Sequence, residues 1–147
     1  MDTSEGKYKI SWYDAEQTII LCDVTERWSW EETHAIVQQM NDWVSTVSHG
    51  VYTVFHFQRN GALLPQGRTA MSDVRRIIDT QHPNDELIIF IGASALVTSL
   101  VNIAGQVYKM RDIISHFRFV YSMDEALAEI AQHKAEKSSQ SASDKPD

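Results

Sequence analysis

A single cysteine, Cys22, means that no intrachain disulfide can form. It lies inside the apolar run Ile19 to Val24 with no basic neighbour to depress its pKa, so it reads as a core residue rather than a reactive thiol. Basic charge is also scarce: 13 Lys and Arg against 20 Asp and Glu leave a net charge of −7. Nucleic acid is thereby excluded as the expected main partner, because phosphate binding relies on clustered Lys and Arg. The two local basic groups, Arg75-Arg76 and Lys109, Arg111 and Arg118 with His116, read as solvated faces balanced by nearby acids. The polar, acidic start Met1 to Gly6 is unlike a signal peptide, and a reducing cytoplasm is the expected location.

Catalytic motifs are missing as well. Gly92-Ala93-Ser94-Ala95 lacks the later glycine of a dinucleotide fingerprint and is no P-loop, and no Gly-x-Ser-x-Gly elbow occurs. Glu31 and His34 have the spacing of a carboxylate–imidazole metal pair, but a di-metal bundle needs a second such pair, and none is present. The remaining histidines are scattered, with no cysteine to complete a zinc site. No catalytic residue, no metal and no cofactor is therefore expected, and His34 is read as a solvated first-turn residue.

What the chain does contain is a long uncharged stretch from Leu87 to Tyr108. Its length raises the question of a membrane span. Thr98, Asn102 and Gln106 decide against one, since they recur every four residues and form a polar stripe on a helix. Leu87 to Ile91 reads instead as a buried strand. Gly92 breaks the run, and Ser94 serves as N-cap of a helix packed back on the sheet. This is the central βα unit of an α/β domain.

Around it, Tyr8 to Trp12 and Thr18 to Val24 alternate as an antiparallel hairpin. Ser29-Trp30-Glu31-Glu32 has the form of a capping box. Ile36, Met40, Trp43, Val44 and Val47 then carry a helix to about Ser48, where Gly50 suits a left-handed C′ position. Trp43 belongs to the core, Trp28 is placed to pack across the cap, and Trp30 faces elsewhere, toward solvent, where an exposed aromatic marks an interface or the mouth of an apolar-ligand site. Val51 to Phe57 is a β-branched and aromatic strand. A loop from Arg59 leads to a helix bearing Met71, Val74, Ile77 and Ile78, which stops before Pro83. Lys109 to His116 continues or restarts helix, and Phe117 to Tyr121 is the closing strand. Ser122-Met123-Asp124-Glu125 forms a second capping box. From Lys137 the Ser-rich tail has nothing to bury and is expected to be disordered. The fold class is thus α/β, one domain over residues 1–136, with a mixed, mostly parallel sheet of about five strands in the order β-β-α-β-α-β-α-β-α.

This order, together with Phe119-Val120-Tyr121-Ser122-Met123-Asp124-Glu125-Ala126-Leu127, resembles the STAS domain of anti-sigma-factor antagonists and sulfate-transporter tails. The segment is similar to that family's last strand and the Ser-x-x-Glu-Ala-Leu start of its helix. The topology is also similar to SEC14-like lipid-binding domains. The resemblance implies a bacterial-type, non-catalytic regulatory or interaction module, STAS-like in fold, binding a protein partner or a second copy of itself. The SEC14-like likeness implies a carrier or sensor of a small apolar or lipid-like ligand. Where antagonists carry an Asp-Ser-Ser-Gly-like phosphorylation motif, this chain has Gln66 to Asp73 without a match, so no switch residue is carried over.

Ligands of open parallel sheets sit beyond the carboxyl ends of the strands. On that rim, beside a loop longer than its connection needs, the expected binding residues are Arg59, Arg68, Thr69 and Ser94. The helix over residues 95–108 is apolar on more than one face, which is the basis for expecting a dimer.

Overall fold

The computed structural model describes residues 3–5, 8–27, 29–58, 71–109, 112 and 115–143, with side chains from residue 8 onward except at 95, 96 and 140–143. Along the chain run β1 (Thr3–Glu5), β2 (Tyr8–Trp12), β3 (Ile19–Val24), α1 (Trp30–Val44), β4 (Val51–Phe57), α2 (Met71–Asp79), β5 (Asp85–Ile91), α3 (Ala95–Val107), β6 (Phe117–Val120) and α4 (Met123–Ser143). The sheet has six strands, and their spatial order follows their order in sequence. β1–β2 and β2–β3 pair antiparallel; β3, β4, β5 and β6 are parallel. The α/β class and the alternation read from the sequence are those observed.

The additional strand is β1. Thr3-Ser4-Glu5 has no apolar pattern to announce it, and it needs only the open backbone groups of β2, pairing Thr3 with Ile10.

The monotonic strand order has a direct consequence. A crossover of one hand, stepping one strand in the same direction three times, places every connecting helix on the same side. Accordingly α1, α2 and α3 pack on one face, over Ile10, Ile20, Cys22, Val24, Phe55, Ile88 and Phe117. The other face has α4, whose Ala126 and Ile130 close over Ile19, Tyr52, Val54, Leu87, Ile89 and Ile91. Cys22 is fully buried, and burial pushes its thiol up to about 12, as a core residue requires.

Local signals fix most boundaries. The Ser29 hydroxyl accepts from the Glu32 amide at 3.1 Å while the Glu32 carboxylate accepts from the Ser29 amide at 3.1 Å, so the capping box is complete. Ser94 caps α3 by accepting from the Val97 amide at 3.3 Å. Ser122 accepts from the Glu125 amide at 3.1 Å, and Glu125 reaches back to the Tyr121 amide at 2.7 Å. Gly92 is left-handed at φ 75°, and a Cβ there would lie 2.8 Å from the Phe57 carbonyl oxygen, so the strand-to-helix handover needs glycine.

Three boundaries differ from the sequence reading. α1 ends at Val44, and Thr46 and Val47 close the end by donating to Trp43 and Val44 carbonyls. Gly50 is not in the left-handed region; a Cβ there would meet the Glu86 side chain, which would have to move aside. The segment expected to be disordered from Lys137 is helical as far as Ser143, and Lys137 is tethered to the Glu86 carboxylate. Trp28 and most of the expected helical segment between Lys109 and His116 lie outside the described residues.

Candidate ligand-binding cavity

All five phenylalanines of the chain belong to the sheet face covered by α1, α2 and α3. Alternation along β4, β5 and β6 puts Phe55, Phe57, Phe90, Phe117 and Phe119 there, since residues two apart share a face. Phe90 is the hub: its ring stacks on Phe119 at 5.1 Å, on Phe55 at 5.5 Å and on Phe57 at 6.2 Å, and it tilts against Phe117 at 5.5 Å. Flat rings stacked in rows fill space less evenly than interdigitating aliphatics. Between them and the helices lies a cavity of about 120 Å³.

Each helix supplies one stripe of the wall. α1 contributes Trp30, Thr33, Val37, Met40 and Asn41, α2 contributes Val74, Ile77 and Ile78, and α3 contributes Val97, Leu100 and Val101. These spacings of three and four are those of residues stacked along a helix side. The floor is Thr53, Phe55, Phe57, Ile88, Phe90 and Phe117. Part of the apolar surplus of α3 thus faces the cavity.

A few polar groups interrupt this wall. The Thr53 hydroxyl donates to Asp85 Oδ1 at 2.9 Å, and the His82 amide donates to Oδ2 at 3.3 Å. Burial pushes the Asp85 carboxyl up to about 6, against the lowering effect of those two hydrogen bonds and of His82. Asn41 reaches across to the Thr80 carbonyl and so ties α1 to the end of α2. Two lining groups have buried polar atoms with no hydrogen-bond partner among the described residues: the Trp30 indole Nε1 and the Gln81 Oε1. An unmatched buried donor or acceptor costs about 1–3 kcal/mol.

The expected site residues fare unevenly. Ser94 stands on the rim beside the lining residue Ala93, but it is not itself part of the wall, and its hydroxyl serves the α3 cap. Arg59, Arg68 and Thr69 lie outside the described residues. Trp30, expected toward solvent, is half-buried and lines the cavity, because the stripe 30-33-37-41 runs along a second side of α1 beside the core stripe. His34 is likewise not a solvated first-turn residue: its Nε2 lies 3.0 Å from Asp73 Oδ1 on α2. Phe57, Phe90, Gln81 and Asp85 were not singled out in sequence. The period-two placement of the phenylalanines is the signal that points to the first two. Neither a family model, nor a curated protein, nor a solved structure matches this chain.

Proposed function

We propose that this chain is a carrier or sensor of a small, mostly apolar molecule, held in the cavity between the sheet and α1–α3. The observation that carries this reading is the pairing of an apolar cavity of about 120 Å³ with two unmatched buried polar atoms in its wall. A cavity of about 150 Å³ lined by aliphatic and aromatic side chains is able to take up benzene, so the space here is of a size to hold a small ring. A ligand that fills the space and meets Trp30 Nε1 or Gln81 Oε1 would remove the cost of the atom it meets.

Toluene is the first probe, with an amide NMR titration as the readout. Saturable shifts confined to the Trp30 indole N–H and to backbone amides around Phe55, Phe90 and Val101 are expected. Uniform or non-saturating shifts at millimolar toluene overturn the proposal.

A second reading follows from the STAS resemblance: a regulatory or interaction module that self-associates through α3. It is supported by Ile103 and Val107, four residues apart and 47% and 62% exposed. Native mass spectrometry of the full chain at high micromolar concentration tests it. A dimer that Ile103→Lys dissociates is expected, and a monomeric unmodified chain refutes it.

A further inference from the structure

Resting on the cavity reading above, we infer that the ligand carries a protonated amine directed at Asp85 and Gln81, with its apolar body on the phenylalanine face. Among the described lining residues Asp85 is the sole formal charge; no Lys, Arg or His contributes to the wall. Its two oxygens accept from Thr53 and His82, and each retains a lone pair for a further donor. Gln81 Oε1 is buried and accepts nothing among the described residues. Gln81 belongs to the short connection between α2 and β5, and Asp85 is the first residue of β5, so both stand at the end of the cavity where that strand begins.

Other features act in the same direction. α2 ends at Asp79, next to Gln81, and a helix C-terminus is the negative end of the dipole. An anionic ligand would meet a carboxylate, a carbonyl oxygen and a helix C-terminus with no compensating cation among the described lining residues. Around Asp85 the titratable neighbours are His82, which lowers its pKa, and Glu86, which raises it. The carboxyl is held high by burial, the condition that a bound ammonium would relieve.

Three compounds of one shape separate the possibilities at pH 7: benzylamine, toluene and benzoate, titrated into the full chain by amide NMR. Benzylamine is expected to bind about tenfold or more tightly than toluene, as a charge-assisted hydrogen bond provides, and benzoate to give no saturable shift. In Asp85→Asn the advantage of benzylamine over toluene is expected to fall to about twofold. Toluene binding as tightly as benzylamine to the unaltered chain overturns the amine inference and leaves the cavity reading standing. An amine preference that survives in Asp85→Asn also overturns it. If none of the three compounds gives a saturable shift, both readings fall together.

Discussion

The two faces of the sheet are built from different materials. One carries all five phenylalanines, three helices and a cavity; the other is an aliphatic layer of Ile19, Val54, Leu87, Ile89 and Ile91 under a single helix. Polar groups follow the same division. On the α4 face they are matched across the helix: Tyr52 bonds His133 at 2.8 Å, Lys134 sits 5.5 Å from the Tyr52 ring centre, and Arg118 meets Glu129 at 3.5 Å. Burial and the Glu86 carboxylate push the Tyr52 phenol up to about 12, so it stays neutral there. On the cavity face, Trp30 Nε1 and Gln81 Oε1 are unmatched and Asp85 has no cation in the described wall. A face optimised for stability would pair or remove such groups. Such groups beside open space are the observation on which the proposed binding function rests.

The sharpest difference between the faces should appear in the pH dependence of stability. Asp85 holds its proton up to about pH 6 in the folded chain, against an ordinary value of 3.8. Between these values the folded state binds more protons than the unfolded one. Its contribution is therefore fully present below about pH 4 and lost as pH rises through about 6, by at most about 3 kcal/mol. Urea unfolding across pH 4–7 should show this loss in the unaltered chain relative to Asp85→Asn, which lacks the titration; parallel curves would contradict it.

A smaller contrast comes from adding the same bulk to each face. Val54→Phe, at a fully buried position under α4, is expected to cost about 1–3 kcal/mol by overpacking. Val97→Phe, pointing into the cavity, is expected to cost less than about 1 kcal/mol and to abolish toluene binding. Equal costs in denaturant unfolding would mean that the two faces are equally tight.

Much of this architecture is legible in the residues. Ser29 with Glu32, Ser94 and Ser122 mark helix starts because caps are local chemistry, and the run Leu87 to Ile91 declares a strand buried on both sides. The cavity is harder to read. The role of Asp85 depends on Thr53, 32 positions away in sequence, whose hydroxyl donates to it from the adjacent parallel strand β4. Trp30 is hard to place from sequence because α1 has two apolar stripes and the stronger one, through Ile36, Met40 and Val44, dominates the pattern. The expected residues Arg59, Arg68 and Thr69 rest on the strand-end rim and on loop length, and they lie outside the described residues.

The assignment of α4 alone to its face also has a meaning in time. During synthesis, β1 to β6 and the three crossover helices leave the ribosome before α4 does, so the layer from Ile19 to Ile91 stays open to water until residues 123–143 emerge. In that interval these aliphatic side chains lack the helix that covers them, and transiently exposed apolar surface of this kind is what makes chains aggregation-prone. The capping chemistry at Ser122 and Glu125 then acts as a starter: it favours immediate winding of the helix that ends the exposure.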